Sequence, residues 1–193
     1  MNKIISIILI ALSFTACDLF TTRNAENPDQ TRSYFQPPVE PAIVIENLKN
    51  SLSDKNVQNY ISCFVDTIFA DQSYNFSASS EALTRFDVFL QWGLNEERRY
   101  FTSIINKVPT DFPISLTLSD QNYSSLSGDS LIYSATYFIN LPVQSGDPFP
   151  QNYAGSLQFN MLRDSRSEWV IYFWKDTKSE TLPSWSELKG SSY

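Results

Sequence analysis

The sequence predicts an α+β fold in which helices come first and pack on one face of an antiparallel sheet. Three observations predict it. Apolar residues recur at three- and four-residue spacing as far as Val108, the period changes to two from Pro113 onward, and short turn signals separate the alternating segments. Helices followed by a run of strands is the order of a domain whose helices cover one sheet face. Fourteen Phe, ten Tyr and four Trp supply the bulk for a core. A body of about 150 residues is long enough to bury one such core.

Ile45, Leu48 and Leu52 form one helical face, and Asp54 offers a cap to a second that carries Val57, Tyr60, Ile61 and Phe64. Residues 68–76 include a short extended segment, and Leu83, Phe86 and Leu90 mark a helical piece ending near Gly93. Asn95 then caps the clearest helix, with Glu96 and Glu97 in its first turn, where carboxylates complement the positive end of the helix dipole. Its buried face is read as Phe101, Ile104, Ile105 and Val108, and Glu96-Glu97-Arg98-Arg99 as a solvated face. Strands are expected at 114–118, 122–126, 131–141, 155–162 and 169–174, with turns at Ser127-Gly128-Asp129, Gly146-Asp147-Pro148 and 164–167. Connections that short join neighbours in an antiparallel meander. In the third strand, Leu131, Tyr133, Ala135, Tyr137 and Ile139 are the more apolar set and should face the helices.

Composition excludes several functions. A formal net charge of −7 without a Lys/Arg cluster repels phosphate backbones, so no nucleic-acid partner is expected. The chain has no histidine, which removes a Ser-His-Asp triad, imidazole acid–base work and the commonest zinc ligand. No metal site, cofactor motif or catalytic motif is read. Only Cys17 and Cys63 are present, so there is no disulfide framework, and Cys63 beside Ile61 and Phe64 reads as a small core hydrophobe. Asn75-Phe-Ser77 and Asn122-Tyr-Ser124 match a glycosylation sequon without further support. Trp169, Trp174 and Trp185 read as core and C-terminal docking residues in preference to a sugar or peptide platform.

The N-terminus carries an address. Lys3 precedes an uncharged apolar run from Ile4 to Leu12, the architecture of a signal peptide. The run is too short for a permanent span, which needs about 20 apolar residues as helix. Ser13-Phe14-Thr15-Ala16-Cys17 resembles the bacterial lipobox, with Phe14 standing where leucine is usual. The resemblance implies cleavage before Cys17, diacylglycerol on its sulfur and a further acyl chain such as palmitate on its amine. Two or more chains suffice for stable anchoring. The expected organisation is a signal peptide over 1–16, a lipidated tether over 17–40 rich in proline (Pro28, Pro37, Pro38), and one domain over 41–193. Tyr34, Phe35 and Val39 are available to dock the end of the tether on the domain. The expected localisation is the bacterial cell envelope, with a membrane as partner and the leaflet open.

The helical first half, the helix ending near Val108 and the closing stretch Trp169-Val-Ile-Tyr-Phe-Trp-Lys-Asp176, followed by Ser184-Trp-Ser-Glu-Leu-Lys-Gly190, resemble the nuclear transport factor 2-like (NTF2-like), cystatin-like cone and uncharacterised bacterial lipoproteins of that type. The similarity runs over roughly Ala42 to Gly190 and lies in order and pattern. It implies a curved sheet around one concave pocket, for which Tyr133, Tyr137, Phe159 and Phe173 are the candidate lining residues. Several members of that fold dimerise through the open sheet face, which extends the option of a homodimer to this chain. The family includes isomerases, dehydratases, cyclases and binding domains without catalysis, so fold does not settle function.

Two readings from different classes follow. The first is an envelope module without catalysis that holds a small apolar ligand or an envelope protein. The second is a pocket enzyme of isomerase or dehydratase type, with Asp66 or Asp87 as base and Tyr133 or Tyr137 stabilising an oxyanion. What lines the cavity discriminates them: an isolated carboxylate facing a phenol in an apolar concavity favours the enzyme, and an interior filled by Tyr and Phe favours a scaffold.

Overall fold

The computed structural model describes residues 34–193 other than 145, 147 and 148. Helix α1 spans Pro41–Ser53, with proline at the first turn, where a missing N–H costs nothing. It buries Val44, Ile45, Leu48 and Leu52, together with Asn47. The Asn47 amide explains its own burial: it accepts from Gln36 N–H at 2.9 Å and donates to Gln36 C=O at 2.7 Å. That exchange ties the segment before α1 to the domain. Phe35 packs against the core and Pro38 is buried, while Tyr34 and Val39 stay exposed. The packed body therefore begins several residues before α1.

Helix α2 spans Val57–Ile61 and is capped by the Asn56 side chain, which accepts from Asn59 N–H at 3.0 Å. Asp54, the residue expected in that role, closes α1 instead. Between the two helices Lys55 takes a left-handed backbone (φ 53°) and sends its ammonium to the carbonyls of Pro109, Thr110 and Phe112. The turn is thereby tied to the loop over residues 109–112.

Strand β1 (Asn75–Ser77) is followed by α3 (Ser80–Arg85), a 3-10 turn (Asp87–Gln91) and α4 (Leu94–Ile105). Phe86 is extended between α3 and the 3-10 turn, which shifts the helical phase. Ala82, Phe89 and Trp92 are buried as a result, and Leu83 and Leu90 face solvent, against the periodicity read from the sequence. The cap of α4 is Gly93, whose N–H is taken by the Glu96 carboxylate at 3.1 Å, and not Asn95.

Four long strands follow: β2 (Ser115–Ser127), β3 (Ser130–Asn140), β4 (Asn152–Arg163) and β5 (Trp169–Lys178), then α5 (Trp185–Ser192). The sheet order is β1-β5-β4-β3-β2, antiparallel throughout except that β1 joins the edge parallel to β5. The two short strands expected at 114–118 and 122–126 are one strand, bent by a bulge where Asp120 adopts φ 51°. Further register shifts lie between Ser125 and Ser127 on β2 and where Asn160 and Met161 of β4 face Phe173 and Ile171, leaving Tyr172 of β5 as the extra residue. Bulges of this kind increase local twist and curve a sheet.

Leu131, Tyr133, Ala135, Tyr137 and Ile139 of β3 are all buried under the helices, as the alternation indicates. Opposite Tyr137 on β4 stands Gly155. A Cβ there would meet the Thr177 carbonyl and come 2.6 Å from the Tyr137 hydroxyl, so only glycine lets that ring lie across the strand. Gly155→Ala is expected to cost about 1–3 kcal/mol through overpacking. Urea denaturation checks it; an unchanged midpoint would show that Tyr137 is free to shift.

Candidate functional site

The most polar place in the interior lies between α4, β5 and α5. Glu97 sits one helical turn before Phe101 and shares its face, and is fully buried with Tyr100, Phe101 and Ile104. The solvated face expected for Glu96–Arg99 thus fails at Glu97, because the apolar stripe of α4 passes through it. Its Oε1 accepts from Tyr60 Oη at 2.6 Å. Its Oε2 accepts from Tyr74 Oη at 3.0 Å, Trp92 Nε1 at 2.7 Å and Lys189 Nζ at 2.7 Å. Both members of the Glu97–Lys189 pair are inaccessible to solvent. A buried charge pair is tolerated when the remaining lone pairs are hydrogen-bonded, and three neutral donors here complete the carboxylate.

Lys189 is brought in by α5, whose start is fixed by a capping box: the Ser184 side chain accepts from Glu187 N–H at 3.2 Å and Glu187 accepts from Ser184 N–H at 2.7 Å. Trp185 and Leu188 of the same helix are buried. The Trp185 indole donates to Tyr100 Oη at 2.7 Å and stands edge-on to Trp174 at 4.5 Å. Trp185 N–H donates to Tyr137 Oη at 2.7 Å, and Tyr137 donates in turn to Asp176 at 2.7 Å. Asp176 also receives Ser186 N–H at 2.8 Å and Ser186 Oγ at 2.5 Å. The helix end is therefore written into the floor of the sheet by hydrogen bonds as well as by packing.

Burial raises the pKa of Asp176, opposed by its bonds to Ser186 and Tyr137 and by the charge of Lys189. Burial lowers Lys189 to about 8, against the pull of Glu97, which leaves it protonated at neutral pH. Burial first, and then the Glu97 or Asp176 charge, holds the phenols of Tyr60, Tyr74, Tyr100 and Tyr137 well above their usual range. These shifts set a pH profile. The unfolded chain keeps the Lys189 proton between pH 8 and 10.5 while the folded chain sheds it, which raises stability from pH 8; above about pH 9 the buried Cys63 thiol, which ionises only in the unfolded chain, offsets that gain. Above pH 10 unfolded phenols ionise and the four folded ones do not, so stability then falls, by up to about 1.4 kcal/mol per pH unit for each tyrosine. Urea midpoints from pH 7 to 11 are expected to climb and then drop steeply; a monotonic profile would contradict the assignment.

Tyr133, Tyr137 and Phe159 are buried on the helix-facing side, with Tyr133 and Phe159 stacked at 6.0 Å. Phe173 precedes the inward-facing Trp174 by one residue, is half-buried, and belongs to the other face, so the four do not share one cavity. Asp66 accepts from Ile68 N–H in a turn and Asp87 is exposed. Neither is hydrogen-bonded to Tyr133 or Tyr137: Tyr133 donates to Gln121 at 2.9 Å, and the carboxylate that meets Tyr137 is Asp176. Cys63 is buried, donates weakly to Asn59 C=O, and has its thiol pushed up by burial, which removes it as a nucleophile. Cys17, the signal segment and the tether up to residue 33 lie outside the described residues.

Surface clefts of about 270–360 Å³ lie elsewhere. One is lined by Ser134, Thr136, Gln158 and Lys175 on the outer sheet face, another by Phe86, Phe149, Tyr153 and Pro183 beside α5, and two more near α3 and the 3-10 turn. None of these four is lined by Glu97, Lys189, Tyr60, Tyr100 or Trp185. Among the described residues there is no cluster of His, Cys, Asp and Glu fit for a metal ion. No helix there is long and apolar enough to cross a membrane.

No protein-family model matches this sequence, and no curated protein matches it. Solved structures do. A protein provisionally named an aromatic ring hydroxylase, from Novosphingobium aromaticivorans DSM, aligns with a TM-score of 0.56 at 12% identity over 76% of this chain and 91% of its own. A protein from Streptomyces avermitilis, provisionally named a dehydratase of the NTF2-like family, aligns at 0.53 and 11% identity over 72% and 94%. An NTF2-like protein of unknown function from Shewanella oneidensis MR-1 aligns at 0.51 and 9% identity over 71% and 95%. The chain thus has the NTF2-like α+β cone fold. At such identities the likeness speaks of the fold alone.

Proposed function

We propose that this chain is a lipid-anchored envelope protein whose cone serves as a rigid module that binds a protein partner through its outer surface and performs no chemistry inside. The observation that carries this reading is the filled interior, where the carboxylate best placed to act as a base, Glu97, is paired with Lys189 and bonded by Tyr60, Tyr74 and Trp92. A base with its lone pairs so engaged has no proton to reach. The enzyme reading requires an open concavity with a free carboxylate facing a phenol. Asp176 and Tyr137 are such a pair in chemistry, yet the backbone of Trp185 and the side chain of Ser186 already use their polar atoms. Support for the anchor comes from the apolar run of Ile4–Leu12 and the small-residue step before Cys17.

The test is expression of the full chain in a bacterial host fed a tagged palmitate, followed by fractionation and native mass measurement. The protein is expected in the membrane fraction, labelled, with the mass of the processed chain plus lipid and nothing more. Cys17→Ser is expected to lose label and membrane retention together. Unlabelled soluble protein would refute the anchor, and a stoichiometric small molecule in the native mass would return the enzyme or ligand-carrier reading.

A further inference from the structure

Lys189 is held as a binding site holds an ammonium ligand. Its Nζ lies 3.5 Å from the ring centroid of Trp174 and 3.7 Å from that of Phe76, with Trp92 and Tyr100 each at 5.5 Å. Glu97 supplies the one carboxylate at 2.7 Å. Aromatic faces around a cation, closed by an acceptor, form the arrangement that recognises ammonium groups by cation–π attraction. Every wall of this cage comes from outside α5: Phe76 from β1, Trp92 from the loop before α4, Glu97 and Tyr100 from α4, and Trp174 from β5. Glu97 is also bonded by Tyr60, Tyr74 and Trp92, three donors outside α5 that hold its carboxylate alongside the lysine.

We propose that the interior of the cone is a recognition site for a primary alkylammonium group, occupied in cis by Lys189, so that the C-terminal helix acts as a tethered ligand. This goes beyond the surface-binding reading, and it depends on neither the lipid nor a partner. An amine of matching length should therefore refill the cage once the lysine head is removed. Lys189→Ala leaves a void of the shape of n-propylammonium.

The experiment is refolding of the full chain carrying Lys189→Ala from urea in detergent, with n-propylammonium chloride, 1-propanol, tetramethylammonium chloride or sodium chloride. Only n-propylammonium is expected to restore folded protein saturably, raising Tm by about 5–10 °C when well above its Kd. The neutral alcohol fills the same space without charge, and the quaternary ion offers charge without an N–H for Glu97. Longer amines should lose the effect. Lys189→Met, which fills the same space and leaves Glu97 without its ammonium, is expected to be destabilised as well but to gain nothing from any amine. Equal rescue by 1-propanol, equal rescue by the other salts, or a Lys189→Ala chain that n-propylammonium fails to refold would each overturn the proposal.

Discussion

Glu97→Ala is expected to cost about 3–5 kcal/mol, enough to leave much of the chain unfolded at physiological temperature. The size follows from what stays behind: an ammonium inaccessible to solvent, two phenols and an indole N–H, all bonded to that one carboxylate. Removing one partner of a buried pair exposes the full desolvation cost of the other, whereas the intact pair contributes little net stability. A double-mutant cycle with Glu97→Gln and Lys189→Met separates the two effects. The double variant should be more stable than the sum of the single losses allows, by about 1–3 kcal/mol, because neither charge is then left alone. Additive losses would mean that the two side chains are coupled only through packing.

Trp185→Ala should cost a similar amount, about 3–5 kcal/mol. The indole is fully buried, lies edge-on to Trp174 at 4.5 Å and to Tyr137 at 5.4 Å, and hydrogen-bonds Tyr100. Trp185→Phe retains most of the apolar area and loses the N–H donor, so its expected cost is nearer 1–2 kcal/mol. Urea denaturation followed by far-UV circular dichroism compares the two. A Trp185→Ala chain as stable as the parent would show that α5 is dispensable to the domain.

The fold was legible because the helical and strand periods occupy separate halves of the chain. The inward face of β3 was legible too, since its five alternating apolar residues are all buried. The misses have physical causes. Phe86 breaks the helix without a glycine or proline to announce it, and so reverses which of Leu83, Phe89 and Leu90 are buried. Asp120, in a left-handed conformation that Asp tolerates better than most residues, joins two apparent strands into one. The parallel edge strand β1 is too short to show alternation and depends on β5, far along the sequence.

The interior chemistry was the least legible part. Glu97, Asp176 and Lys189 are charged residues, and charged residues are read as surface. A signal existed in each case: Glu97 is four residues before Phe101 on the buried stripe, Asp176 two after Trp174 on the inward side of β5, and Lys189 next to Leu188 in a helix led by Trp185. Charges at positions that periodicity assigns to the core mark a polar interior. Pairing Glu97 with a lysine 92 residues away required the fold.

If α5 is a built-in occupant of the cone, amide hydrogen exchange on the native full chain will find it as protected as the sheet. The backbone N–H groups of Trp185 and Ser186, which donate to Tyr137 and Asp176, are expected to exchange as slowly as those of β4, only through global unfolding. Fast exchange at these amides while β4 remains protected would show the helix leaving a standing cone, and would contradict the closed interior.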